Sequence, residues 1–291
     1  MINLEKYSKI NISVMIPVYN GGETLAGCLD SVIRQTINNY EIIIVDNNST
    51  DNTKNIIESY MARDKRIVYI YEPKKGRGSA RNTGVKNCTG DIIIMTDSDC
   101  TVPDNWIEEL TRPIIEESED AVMGFEFNLS NEYWSNNTQK ADEEFYLSIC
   151  NGVYINFIDT KNFAIKKEVF GVNIFNPNMQ SSEDFCFYLS IKDKIKIRFL
   201  PNIKVGHLHK NTIMGVILKN FDRGYWVSVI NTINSGSMLK SSDRKKFFKK
   251  CLNFLNRLSN YSISHIFYKS VVTASWSLGS LYCKIKKVKI V

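Results

Sequence analysis

The residues best placed to do chemistry are Asp97 and Asp99, separated only by Ser98 at the end of the apolar run Ile92-Ile93-Ile94-Met95. Two carboxylates at a strand mouth offer hard oxygen donors. Mg²⁺ and Mn²⁺ favour such ligands and commonly share them with substrate phosphates. The place is right as well, because ligands of open α/β sheets bind outside the carboxyl ends of the strands. A D-x-D alone is also an ordinary turn, since Asp and Ser are turn formers. The weight therefore falls on what accompanies it. Asp46 ends a second apolar run, Glu41–Val45, and Glu183-Asp184 opens a stretch of helical spacing. His207 and His209 follow another apolar run, and Arg81 stands among small residues between Gly78 and Gly84.

These groups need a scaffold, and the hydrophobic pattern supplies one. Strands are predicted at Ile12–Val18, Glu41–Val45, Ile67–Tyr71 and Asp91–Thr96, with Pro17 near the end of the first, where it cannot donate to the ladder. Between them, Leu25, Cys28, Leu29, Val32 and Ile33 have helical spacing, the capping-rich Asn47–Asp51 precedes a helix to about Ala62, and Ser79–Asn87 reads as a short helix after the flexible basic loop Lys74–Gly78. Strands alternating with helices imply parallel pairing and right-handed crossovers. Further on, a helix is expected over Pro103–Glu117, strands over Ala121–Phe127, Thr160–Ile165 and Ile195–Leu200 (the last ended by Pro201), and helices over Glu183–Ile191 and Met214–Ile230. Ser130–Asn151 is polar with weak periodicity. The fold class is α/β, a doubly wound, mostly parallel nucleotide-binding sheet flanked by helices with a C-terminal helical extension. No G-x-G-x-x-G follows the first strand, and no G-x-x-x-x-G-K-[ST] occurs, so dinucleotide and P-loop folds are disfavoured.

The chain has 291 residues, enough for one large α/β domain with a helical extension. Seven cysteines without C-x-x-C spacing read as reduced thiols, and a polar N-terminus running into a strand reads as lacking a signal peptide, so a cytoplasmic protein is expected. The net charge of +6 hides an asymmetry: Lys240–Val291 holds twelve Lys/Arg against one acid, Asp243, and carries +11, leaving −5 for the first 239 residues.

Taken in order, Pro17-Val18-Tyr19-Asn20, Val45-Asp46-Asn47-Asn48-Ser49-Thr50-Asp51, Gly78-Ser79-Ala80-Arg81-Asn82-Thr83-Gly84, Thr96-Asp97-Ser98-Asp99, Glu183-Asp184 and His207 form a set that resembles the family 2 glycosyltransferases of the GT-A fold, over roughly residues 12 to 230. The resemblance implies a nucleoside-diphosphate sugar donor and a glycan or lipid-linked hydroxyl acceptor. It assigns Asp46 to the nucleobase, Pro17 to Asn20 to the same pocket, Arg81 to the diphosphate, and Ser98 to the donor. Asp99 becomes the direct ligand of Mn²⁺ or Mg²⁺, Asp97 a second ligand or a ribose contact, and His207 a further ligand or a diphosphate contact, with His209 a weaker candidate. Asp184 becomes the general base, held ionised by the dipole of its helix. One base and one displacement imply inversion. Asp222-Arg223-Gly224-Tyr225-Trp226 does not match the Q-x-x-R-W signature of the membrane-embedded synthases, so transfer of a single sugar is expected. Trp134, Tyr225 and Trp226 could stack on a sugar, although core packing is the commoner fate of such rings. Alternatives are a sugar nucleotidyltransferase, or a non-catalytic nucleotide- or glycan-binding protein on the same fold.

The division expected is residues 1–237 as catalytic domain and 238–291 as basic amphipathic helical tail. Ile266–Cys283 is too polar to span a bilayer. The tail either packs on the domain or lies on an anionic membrane surface, where Lys284, Lys286, Lys287 and Lys289 would suit the headgroups. Nucleic acid is not expected, for no recognisable binding module accompanies the charge.

Overall fold

The computed structural model describes residues 7, 9–171, 175–235 and 262–286. Its first compact unit comprises Met1–Leu129 and Asp142–Leu208. The unit opens as the pattern requires: β1 (Ile12–Val18), α1 (Leu25–Ile33), β2 (Tyr40–Asp46), α2 (Thr53–Met61), β3 (Ile67–Tyr71), α3 (Arg77–Asn87) and β4 (Ile92–Met95). After them come β5 (Cys100–Thr101), α4 (Trp106–Glu116), β6 (Ala121–Asn128), α5 (Tyr133–Ile149), β7 (Cys150–Asn151), β8 (Tyr154–Ile155), β9 (Phe163–Lys166), α6 (Glu183–Ile191) and β10 (Ile197–His207). The strands form one sheet in the order β3-β2-β1-β4-β9-β6-β10-β8-β7, with β5 paired to β10. β3, β2, β1 and β4 are mutually parallel, and β6 is parallel to β10. β9 runs antiparallel between β4 and β6.

The continuous apolar strands are explained by burial on both faces. Val14, Ile16, Ile42, Ile44 and Ile94 pack on one side with Leu25 and Leu29 of α1 and Trp106 and Leu110 of α4. Met15, Ile43, Val45, Ile93 and Met95 pack on the other with Ala80 and Val85 of α3 and Phe187 and Ile191 of α6. Gly84 of α3 must be glycine, because a Cβ there would stand 2.5 Å from the Met15 side chain.

One expectation is corrected. Pro201 does not end its strand: β10 continues to His207, and its register against β6 shifts between Leu200 and Lys204. Such an irregularity relieves the proline of a ladder hydrogen bond. The polar, weakly periodic stretch Ser130–Asn151 contains the helix α5. Its buried positions include Ser135, Thr138 and Tyr146, which leave no apolar stripe to read.

The second compact unit comprises Ser130–Ala141 and His209–Val291. It contains the first part of α5 and two long helices, α7 (Ile213–Ser235) and α8 (Ile263–Lys286). Tyr268 on α8 donates to Thr138 Oγ1 at 2.9 Å, and Trp134 packs against Phe267 and Tyr268. Tyr225 packs against Trp226 and Tyr282, so these rings sit in aromatic clusters of their own unit. No helix among the described residues is long and apolar enough to cross a membrane. The boundary expected at 237/238, the composition shift near Gly236, and Lys287 and Lys289 lie outside the described residues.

Candidate active site

Several of the predicted residues meet at one end of the first unit's sheet. Parallel register places Pro17 beside Val45 and Val18 beside Asp46. Asp46 is buried; its Oδ1 accepts from Ser49 N–H at 2.9 Å and its Oδ2 from the Tyr69 hydroxyl at 3.1 Å. Each carboxylate oxygen has two acceptor sites, so capacity remains for a ligand. The loops after β1 and β2 are laced together. Asn20 N–H donates to Ser49 Oγ at 2.9 Å, Thr50 N–H to Asn20 Oδ1 at 2.8 Å, and Gly21 N–H to Thr53 Oγ1 at 2.8 Å. Asn20 adopts a left-handed backbone at φ 51°, a conformation Asn tolerates. Tyr19 is exposed, with the Lys75 ammonium 5.0 Å over its ring.

Asp97, Ser98 and Asp99 follow β4, and the adjoining β5 fixes them through antiparallel pairs Thr101–Gly206 and Cys100–His207. That register carries Asp99 to the end of β10, where its Oδ2 lies 3.6 Å from His207 Nε2. The Asp99 side chain is 41% exposed, whereas His207 is buried. Behind His207 runs a line of alternating charge. His207 Nδ1 is 3.0 Å from Glu126, Lys161 Nζ is 3.1 Å from Glu126 and 2.7 Å from Asp159, and Tyr146 donates to Asp159. Lys161 sits on the 3-10 turn Thr160–Asn162, and Asn162 pins that turn by donating to the carbonyls of Phe125 and Ile203 and accepting from Trp106 Nε1. Burial works against the charge on Lys161, but Asp159 and Glu126 outweigh it and hold the ammonium well above its ordinary value. Burial raises Asp99 too, yet His207 outweighs it and leaves the carboxyl below its ordinary value.

Asp97 faces the other way. Its Oδ1 accepts from Arg81 at 3.0 Å, and the same guanidinium pairs with Glu183. Arg81 is only 4% exposed. The sequence expectation put Arg81 at a diphosphate; in the structure its charge is committed to two carboxylates, and it acts as a tie between the end of β4 and the start of α6. Asn82 next to it donates to Phe175 O at 2.7 Å and accepts from Phe175 N–H at 2.8 Å, fixing the approach to α6. Gly78 permits that approach, for a Cβ there would lie 2.4 Å from Asn176 O.

Glu183 and Asp184 open α6 after Ser182, whose left-handed backbone (φ 60°) makes no side-chain cap. The expectation that the helix dipole keeps Asp184 ionised is overturned. Burial first, then the charges of Glu183 and Asp159, push its carboxyl up to about 7, against the opposing pull of Arg81. A dipole worth about 0.3–1 kcal/mol does not balance desolvation and two like charges. A carboxyl poised near neutrality is suited to taking a proton.

His209 begins the second unit and lies 3.1 Å from Gln139 of that unit. Glu126, Asp159, Lys161 and Tyr69 were not foreseen. The buried polar turn Thr160-Lys161-Asn162, inside an otherwise apolar run, was the available sign.

An open, mostly parallel sheet with carboxylates gathered at the strand ends is the arrangement of nucleotide-binding α/β folds, the GT-A class among them. Solved structures agree on the fold. A mannosyltransferase from Pyrobaculum calidifontis, solved with GDP-Man and Mn²⁺, superposes with a TM-score of 0.69 at 14% identity, covering 95% of this chain and 88% of that one. TarS from S. aureus, solved with UDP-GlcNAc, gives a TM-score of 0.57 at 17% identity over 87% of this chain and 74% of that one. The profile of glycosyl transferase family 2 matches residues 13–173, and the chain belongs to that family. Among curated relatives, glycosyltransferase GlyG of Streptococcus pneumoniae is 38% identical over 118 residues, which are 40% of this chain and 39% of that protein. The match thus spans well under two thirds of that relative's length.

Proposed function

We propose that this chain is a metal-dependent glycosyltransferase that moves one sugar from a nucleoside-diphosphate sugar to a hydroxyl of a glycan or lipid-linked acceptor, with inversion. The observation that carries the reading is the meeting of Asp99 with His207 at one strand end, beside the Asp97–Arg81–Glu183 tie that leads to Asp184. Donor complexes of structural neighbours, with GDP-Man and Mn²⁺ in one and UDP-GlcNAc in another, support it.

The donor set fits a divalent cation. Asp99 is an accessible carboxylate beside a buried imidazole, a combination of hard oxygen and nitrogen suited to Mn²⁺ or Mg²⁺. Asp99 and His207 would hold the ion, with Asp97 as a second carboxylate toward the ion or the ribose. Bound there, the cation would act as a Lewis acid on the leaving diphosphate. Asp46, Pro17 to Asn20 and Ser98 would receive the nucleoside. Asp184 would take the acceptor proton, and Glu183 with Arg81 would position it.

Thermal melting against a panel of nucleoside diphosphates, with and without Mn²⁺, tests the donor site, since a ligand of the folded state raises the melting temperature. A Mn²⁺-dependent rise with one nucleotide, lost in Asp99→Ala and kept in Asp184→Asn, is expected. Turnover retained by Asp184→Asn would remove the base assignment. The absence of any shift would remove the donor site.

A further inference from the structure

The second unit contains a helix that leaves an apolar stripe exposed. In α8 the buried residues are His265, Tyr268, Ser275, Gly279 and Cys283. The exposed residues of α8 include Ser264, Thr273, Trp276, Tyr282 and Lys284, and a run of seven that recurs at intervals of three and four: Ile263, Phe267, Ser270, Ala274, Leu278, Leu281 and Ile285. None of these seven is charged. Ile263 is 87% exposed, Ile285 70% and Leu278 59%. An amphipathic helix of a water-soluble bundle does the reverse, burying its apolar stripe.

The inner face explains how the pair holds together without that stripe. Gly224 of α7 and Gly279 of α8 sit at the crossing. A Cβ on Gly224 would lie 2.0 Å from Trp276 O, and one on Gly279 would lie 1.9 Å from Phe221 O. The two backbones touch, and Ser228 Oγ donates to Ser280 Oγ at 2.7 Å beside them. Small residues at a helix crossing with large aliphatic residues outside is the arrangement used where the surroundings are themselves apolar. The stripe runs for about 33 Å at 1.5 Å per residue, yet α8 lacks the hydropathy of a spanning helix.

We propose that the outward stripe of α8 is a docking surface for an anionic lipid membrane, on which the helix lies parallel to the interface. Charge selects this occupant. The stretch Lys240–Val291 carries +11, and Lys269 and Lys284 lie on α8 itself. A second copy would bring a chain segment of the same charge sign, whereas anionic headgroups attract a basic residue near the surface by about 1 kcal/mol. This inference does not depend on the sugar-transfer reading.

The test is co-sedimentation of the full chain with phosphatidylcholine vesicles, with and without phosphatidylglycerol, alongside light scattering of the protein alone. Binding to the phosphatidylglycerol vesicles is expected, weaker on phosphatidylcholine alone. Leu278→Glu and Leu281→Glu should each weaken it about tenfold, the worth of one buried Leu side chain. Ile263→Glu and Ile285→Glu change residues that touch little of the protein, so they retain the fold, checked by circular dichroism, and should weaken binding as well. No sedimentation with either vesicle, or unchanged binding by all four variants, overturns the proposal. A dimer in solution that the same variants dissolve, without vesicle binding, overturns it in favour of a second copy.

Discussion

Replacing Asp184 by Asn should abolish turnover and at the same time make the protein more stable in mildly basic solution. The reason is the position of its carboxyl, raised from 3.8 to about 7 by burial and the neighbouring Glu183. Between these two values an unfolded chain has lost the Asp184 proton and the folded chain still holds it. The folded state then binds more protons, so stability falls as pH rises through this window and the loss is complete above it. At 1.36 kcal/mol per pH unit the loss has a ceiling of roughly 4 kcal/mol. Urea denaturation of wild type and Asp184→Asn at about pH 4 and about pH 8 brackets the window. The variant should be nearly equal to wild type at the lower pH and up to a few kcal/mol more stable at the higher. The difference between the two differences cancels the other carboxyls, which both proteins share. Turnover gives a second reading. Its acid limb should fall near about pH 7, and Glu183→Gln, which removes the adjacent negative charge, should move it lower. Equal pH slopes of stability for the two proteins, or an acid limb at the ordinary carboxylate range, would refute the reasoning.

Four further outcomes follow from the same geometry. Lys161→Met strands Asp159 and Glu126 without their buried cation, and should cost about 3–5 kcal/mol in denaturant unfolding. Glu126→Gln, which removes the carboxylate behind His207, should weaken Mn²⁺ binding about 10–100-fold, read by titration calorimetry. Gly279→Ala forces two touching backbones apart, and should lower the melting temperature by an amount worth about 1–3 kcal/mol while leaving nucleotide binding unchanged. Asp46→Ala should weaken nucleoside diphosphate binding without altering the affinity for Mn²⁺ alone, a split that calorimetry resolves.

What could be read from the sequence is what local pattern dictates. Runs such as Ile-Ile-Ile-Met from Ile92 to Met95 are short, apolar on both sides and followed by polar turn residues, so the strands and the acids at their ends were visible together. The chemistry of pairs far apart in the chain was not. Arg81 reaches Glu183 across 102 positions, and Lys161 reaches Glu126 because a polar turn was folded under the sheet. Nothing in the types of those residues says which partner each will meet. Asp184 was misjudged for a related reason: the helix start is local and legible, whereas burial is a property of the whole unit. α5 escaped because its inward positions include Ser135 and Thr138, which satisfy their own helix's carbonyls and leave no hydrophobic period.

The reversed strand β9 has a consequence for how the molecule is made. By the time Thr101 has been synthesised, β1 to β4 and their helices can assemble from neighbouring segments, carrying Asp46, Asp97 and Asp99 with them. One side of β4 then stays open until Phe163–Lys166 arrives to pair with it. For about 60 residues of synthesis, three to twelve seconds at ordinary elongation rates, the growing chain presents Ile92 to Met95 as an unpaired edge of the kind that recruits other chains. The donor half of the fold thus emerges early but adhesive, and a fragment ending just after the paired aspartates should be recovered from the pellet rather than the supernatant.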